Sequence, residues 1–135
     1  MPELPEVETV RRGLADVLEG RRLERVQAMR PDLRFPFPEN FEGRLTGRRV
    51  ETLGRRGKFL LIHLEKRLTL IAHLGMSGRF RIFKSPPPPL ERHDHVVFEV
   101  DGGICVRFND PRRFGFMDLA DTDTLAGHKM LKNMG

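Results

Sequence analysis

The chain has 135 residues, a single cysteine, 39% hydrophobic and 32% charged residues, enough for one domain that buries roughly two thirds of its unfolded surface. That balance excludes a disordered chain and an internal disulfide framework. No apolar run approaches the ~20 residues a membrane-spanning helix needs. Lys and Arg number 24 against 19 Asp and Glu, a net charge of +5. Arginine supplies 19 of the 24, and its planar fork suits bidentate phosphate and base contacts. Six of the positive residues, Arg44, Arg48, Arg49, Arg55, Arg56 and Lys58, fall in the window 44–58 against one negative, Glu51. A patch of this kind fits a polyanionic partner such as nucleic acid, or a merely basic surface.

The N-terminus, MPELPEVET, carries three glutamates and no apolar core segment, so it is neither a secretory signal nor an arginine-rich transit peptide. A cytoplasmic protein in a reducing compartment is expected. Residues 3–19 read as an amphipathic helix, with Val7, Val10, Leu14, Val17 and Leu18 on one face at a 3.6-residue period. Glu3 is a candidate cap, Pro5, Glu6 and Glu8 suit the helix start, and Gly20 is a C-cap candidate. The segment 30–42, with Pro31, Pro36 and Pro38 around Phe35 and Phe37, lacks periodicity and reads as an ordered loop.

From Arg48 onward the pattern turns to β. The runs 58–64 (KFLLIHL) and 68–74 (LTLIAHL) are apolar strands around the charged turn Glu65-Lys66-Arg67. Gly75 and Gly78 bracket the next turn, and 79–83 (RFRIF) alternates like a half-exposed strand. The prolines at 86–89 predict a stiff loop, or a polyproline segment for a partner. Strands at 95–100 and 104–109 form a hairpin around Asp101-Gly102-Gly103. Residues 114–119 read as a last strand and 122–132 as a short helix capped by Thr122 or Asp123. With no repeat and no linker, the expectation is one mainly β domain over 1–135. It is an antiparallel β-sandwich or flattened barrel with an N-terminal and a C-terminal α-helix.

Several residues offer chemistry. Removal of Met1 leaves Pro2 as a secondary amine, and an α-amino group has a pKa of about 7.7–8.0 against about 10.4 for lysine. Such an amine attacks a carbonyl carbon and gives a cationic iminium, an electron sink of the Schiff-base kind. Glu3 and Glu6 lie within a turn and can move protons, although an acidic first turn is also an ordinary helix start. Read from the residues alone, Met76 and Phe114 are core candidates, Arg112-Arg113 is a solvated pair and His73 is structural. His93, Asp94 and His95 lack a fourth ligand and a nearby cysteine, so no metal site is expected. Cys105 reads as a buried hydrophobe.

Taken together, MPELPEVETVRRGL at the start, KFLL at 58–61, HLGMSG at 73–78, HDHV at 93–96 and DPRRFG at 110–115 resemble the N-terminal domain of formamidopyrimidine-DNA glycosylases, in the family's order and over essentially the whole chain. The resemblance implies a bifunctional DNA repair enzyme that excises oxidised purines, such as 8-oxoguanine and formamidopyrimidines, and cleaves the strand by β,δ-elimination through a Schiff base. By the same resemblance Pro2 is the nucleophile on the sugar C1′, Glu3 the general acid/base, Glu6 a supporting carboxylate and Lys58 a phosphate-contacting lysine. His73 matches a phosphate contact. Met76, Arg112 and Phe114 match the trio that fills the gap left by a flipped nucleotide, and Arg113 takes a phosphate or packing role. The physics agrees, since an apolar wedge and a guanidinium offset the few kcal/mol that flipping requires.

Family members continue into a helix-two-turns-helix domain and a four-cysteine zinc finger, which these 135 residues do not contain. Zinc is therefore expected only in such a finger and no cofactor in this chain. The 135 residues alone are expected to be weakly active or inactive. The implied partner is double-stranded DNA with oxidised purines or abasic sites, bound by a monomer in a bacterial cytoplasm, at the nucleoid, with no membrane. Two other readings stand beside this one. An endonuclease VIII-like enzyme for oxidised pyrimidines is disfavoured by ELPEVET and DPRRFG. A non-catalytic basic β-sandwich that binds nucleic acid would show salt-sensitive binding indifferent to lesions.

Overall fold

The computed structural model describes residues 4–128 and residue 131. Helix α1 (Leu4–Leu18) is followed by β1 (Leu23–Ala28), a five-residue helix α2 (Phe41–Leu45), and strands β2 (Val50–Arg56), β3 (Phe59–Leu64), β4 (Leu68–His73) and β5 (Arg79–Lys84). Strands β6 (Asp94–Val100), β7 (Ile104–Asn109) and β8 (Phe116–Asp121) complete two four-stranded sheets, ordered β1-β6-β7-β5 and β2-β3-β4-β8. All pairings are antiparallel. The expected mainly β sandwich with an N-terminal helix is what forms.

One apolar core joins both sheets and α1. Val7, Leu14 and Leu18 of the helix meet Leu60, Ile62, Leu70 and Ala72 of one sheet and Val26, Phe98, Val106 and Phe108 of the other. Val10 and Val17 pack at its margin, so the 3.6-residue face read from the sequence is the buried one. Gly20 takes φ 80°, the left-handed turn that ends a helix without a Cβ clash. Strand β4 is buried from Leu68 through Ala72, because a second cluster of Leu61, Ile71 and Leu131 covers its other face. Burial on both faces explains why 58–64 and 68–74 read as continuous apolar runs rather than alternations.

Three expectations need correction. Strand β1 escaped the sequence reading because a bulge between Leu23 and Arg25 puts the buried Leu23 and Val26 three residues apart, which breaks the period of two. The segment 30–42 is irregular only to Asn40, whose φ of 53° leads into α2. The C-terminal α-helix expected at 122–132 is a 3₁₀ turn over Thr122–Gly127, and its N-cap is Asp121, which accepts the Asp123 N–H at 2.8 Å. Such local side-chain bonds compete with α-helix, and His128 leaves the turn extended at ψ 135°. Residues 129, 130 and 132 lie outside the described residues. No helix among the described residues is long and apolar enough to cross a membrane.

Candidate functional site

Two turns meet at one end of the sandwich. The first, Gly75 to Gly78, leaves β4, and the second, Asp110 to Gly115, joins β7 to β8. Their backbones touch: a Cβ at Gly75, where φ is 63°, would strike Phe114 C and Gly115 N, and one at Gly115 would stand 2.6 Å from the His73 carbonyl. Glycine is required at both places by that close approach. Asp110, with 0% exposure, joins the turns through its carboxylate. One oxygen accepts from Ser77 Oγ at 2.7 Å and Arg113 N at 3.1 Å, the other from Gly115 N at 2.9 Å. Ser77 Oγ in turn accepts the Arg112 N–H at 3.1 Å. His95 Nε2, itself buried, donates to the Asp110 carbonyl at 2.9 Å.

On this base stand the side chains singled out in the sequence. Met76 and Phe114 are 48% and 43% exposed, which corrects the reading of either as core. The Arg112 guanidinium lies 4.9 Å from the Phe114 ring centre, a cation–π contact. Together with Arg34, His73 and Gly75, Met76 and Phe114 line a groove of about 410 Å³. Arg34 belongs to the proline-bearing loop, is held by its N–H on the Gly115 carbonyl at 3.1 Å, and was missed in the sequence. The signal available was the pair Arg34-Phe35 beside Pro36, with Phe35 packing edge-on to Phe116 at 5.5 Å.

His73 forms the groove's inner wall. Its ring stacks on Phe116 at 5.3 Å and 3°, and meets Phe59 edge-on at 5.1 Å. Burial, then the positive charges of Arg34 and Lys58, push its pKa below the ordinary 6.5, so the ring is neutral at neutral pH. Nδ1 accepts the Gly75 N–H at 3.0 Å, which leaves the proton on Nε2 as a donor. Lys58 occupies the two-residue turn between β2 and β3, and the pairing of Phe59 with His73 sets it beside the histidine. A neutral N–H donor flanked by two cations suits an anionic oxygen such as a phosphate.

Glu6 is exposed on the first turn of α1 and lines no part of the groove. Pro2 and Glu3 lie outside the described residues. Arg113 is exposed with φ 55°, a conformation its backbone bonds to Asp110 enforce. Helix α1 docks on β2 near Lys58 through Glu8, which bonds Arg11 and Arg12 and reaches Arg55 at 3.2 Å. The Arg11 hydrogen bond, joined by those from Arg55 and Arg12, outweighs burial and holds the Glu8 carboxyl at a pKa of about 2. The basic window 44–58 is thus partly structural, since Arg48 also donates to the Arg44 and Glu65 carbonyls at 2.6 and 2.9 Å.

His93, Asp94 and His95 do not converge. Asp94 faces Arg81 and Asn109 at 3.1 and 2.9 Å, whereas His95 faces Asp110. Cys105 is buried, and no group of three His, Cys, Asp or Glu among the described residues is placed to hold a metal.

Comparison with known proteins matches both the sequence and the fold. Residues 1–117 match the model of the formamidopyrimidine-DNA glycosylase N-terminal domain. A formamidopyrimidine-DNA glycosylase of Beijerinckia indica is 57% identical over 141 aligned positions, covering 100% of this chain and 49% of that protein. One of Sinorhizobium fredii is 54% identical and covers 100% of this chain and 50% of that protein. The chain thus spans about half the length of the curated relatives it matches. The Lactococcus lactis Fpg in complex with an abasic site containing DNA superposes with a TM-score of 0.84 at 33% identity, over 93% of this chain and 46% of that one. A variant of the same protein with a Fapy-dG containing DNA gives 0.83 at 35% identity, with the same coverages. With residues 1–117 matched by the family model and the fold superposing on a solved member, the chain belongs to the formamidopyrimidine-DNA glycosylase family, as its N-terminal domain.

Proposed function

We propose that this chain carries the nucleophile and the damage-probing surface of a bifunctional DNA glycosylase and abasic-site lyase that acts on oxidised purines in duplex DNA. The observation that carries this reading is the groove. An exposed methionine and phenylalanine with a stacked guanidinium stand beside a neutral histidine donor and two cations. Met76 and Phe114 enter the base stack, Arg112 reaches the widowed base, and His73 and Lys58 hold the phosphate of the extruded nucleotide. Arg113 adds a phosphate contact. Zinc belongs outside these residues.

In the chemical step the Pro2 nitrogen lone pair forms a bond to C1′ as the glycosidic bond breaks, its electron pair leaving with the protonated base. Glu3 passes protons at the sugar, with Glu6 in support, and the ring opens to an iminium. Loss of a C2′ proton then expels the 3′ phosphate, and a second elimination releases the 5′ phosphate. The step requires loss of Met1, since an acylated Pro2 nitrogen has no basic lone pair.

Intact mass and N-terminal sequencing of the complete protein, followed by borohydride reduction with abasic-site DNA, test this. The expected result is a protein lacking Met1 that gives a covalent adduct at Pro2. A retained Met1, or a free Pro2 that forms no adduct, overturns it. Salt-sensitive binding that ignores both the lesion and a Pro2→Gly change would favour the non-catalytic nucleic-acid-binding sandwich instead.

A further inference from the structure

The probing side chains come from two turns 33 residues apart, at Ser77 and Asp110. Exposed loops of this kind ordinarily move independently. Here one carboxylate with no solvent exposure takes the Ser77 hydroxyl from the first turn and two N–H groups from the second. Oδ1 accepts from both turns and Oδ2 from the second, so three directional bonds converge on one carboxylate. The Arg112 N–H closes the circuit on Ser77 Oγ. Arg113 accepts φ 55° because its N–H must reach both the carboxylate and the carbonyl of Asp110. Met76 sits immediately before Ser77, and Arg112 and Phe114 flank the bonded Arg113.

We propose that Asp110 and Ser77 are positioning residues that lock the two turns into one preformed wedge, so that Met76, Arg112 and Phe114 enter DNA as a unit. This rests on the damage-probing reading above. Asp110 is fully buried and Ser77 Oγ is turned onto it, so both act through the turns they join. Their effect is on the geometry of insertion, where a displacement of about 1 Å at the reacting end changes rates by up to about a hundredfold.

The test follows insertion rather than chemistry, in the complete protein and in duplex DNA with 2-aminopurine opposite a tetrahydrofuran abasic-site analogue. Wedge entry unstacks the reporter and raises its fluorescence. Ser77→Ala keeps the turn but removes the clasp's hydroxyl, and Ser77→Thr restores it. The expected result is a fluorescence rise slowed about tenfold in S77A and returned to within about twofold of wild type in S77T, with thermal midpoints unchanged between the two variants. Asp110→Asn, which sets an amide donor against a donor, should slow the rise further. An S77A rise as fast as wild type, or an S77T rise as slow as S77A, overturns the clasp. A wild-type protein that gives no rise overturns the damage-probing reading and the clasp with it.

Discussion

Two buried aspartates at the same end of the β1-β6-β7-β5 sheet hold loops in opposite ways. Asp94 pairs in register with Asn109, and Asp110 follows that residue. Asp94 is surrounded mainly by charge, with Arg81 at 3.1 Å and Arg107 at 3.7 Å, plus an Asn109 amide and one backbone donor, the Glu91 N–H at 2.8 Å. Arg107 then fastens the proline loop through the Pro88 and Pro89 carbonyls at 2.7 and 3.3 Å, while both guanidiniums stack on Phe83. Arg107 Nε is nonetheless left, among the described residues, as a buried side-chain nitrogen without a partner. Asp110 uses a hydroxyl and backbone N–H groups and leaves nothing unpaired. Charge attracts with little regard to direction, whereas backbone donors fix where two strands of chain pass each other. The loop that only needs covering is held by charge. The turns that carry the exposed Met76, Arg112 and Phe114 are held by direction.

Substitution of the two aspartates separates these designs. Asp110→Ala leaves the Ser77 hydroxyl and the Gly115 N–H without an acceptor and the Arg113 N–H on the residue-110 carbonyl alone, so at about 1–3 kcal/mol for each of the two orphaned donors a loss of about 2–6 kcal/mol is expected. Asp94→Ala takes the carboxylate from two guanidiniums and should cost less than the about 3–5 kcal/mol of a broken buried pair, because Glu91 still pairs with Arg81 and the Pro88 and Pro89 carbonyls still hold Arg107. The sharper contrast is rescue. Replacement of Asp94, Arg81 and Arg107 together by apolar residues of similar size should recover most of the loss, whereas an apolar residue at 110 leaves the buried Gly115 N–H without an acceptor. Denaturant midpoints at constant slope measure both. An apolar variant at 110 as stable as wild type would break the comparison.

The contrast also explains what was legible in the sequence. The paired apolar runs of β3 and β4, the α1 face and the hairpin at Gly102-Gly103 were readable because periodicity and turn chemistry are local. The bulged β1 was not, since one extra residue erases the alternation. Met76, Arg112 and Phe114 were legible only as part of a motif, because a methionine or phenylalanine in a short turn has the composition of core. Asp110 reads as the end of a strand. Its partner Ser77 is 33 residues away, and no pattern of polarity announces a carboxylate that binds backbone N–H groups.

Acid should dissolve the two ends in sequence. On the clasp side His73 and His95 both sit below their ordinary 6.5, in each case first because of burial. A depressed folded pKa means stability that is fully present above the unfolded value and is lost as pH falls through the folded one. This end therefore weakens from about pH 6.5 downward, and a protonated Nδ1 on His73 can no longer accept from Gly75. For Asp94, burial raises the pKa, but the Asn109 amide, the Glu91 N–H and Arg81 outweigh it and hold the carboxyl below 3.8. The Asp94 side keeps its share down to about pH 4 and loses it below that. Residue-resolved hydrogen exchange between pH 7 and 4 should show Gly75 and Gly115 lose protection before the Asp94 partner Glu91 does. The reverse order would place the sensitive end wrongly.

The smallest expected effect on stability is the most informative about Arg113, whose backbone and side chain do different things. Its N–H belongs to the clasp at 3.1 Å, and its φ of 55° is a conformation that disfavours a Cβ. Arg113→Gly keeps the N–H and relieves the backbone, so the fold should be unchanged or stabilised by up to about 1 kcal/mol. Arg113→Ala removes the same guanidinium without that relief and should be less stable than R113G. If the side chain contacts a phosphate, both variants bind DNA more weakly and lower the slope of log K against log salt by about 1, equally and irrespective of lesion. A glycine variant that binds like wild type while the alanine variant does not would mean that Arg113 acts through the backbone alone, and the positive side chain beside the wedge would then be solvent-facing surface.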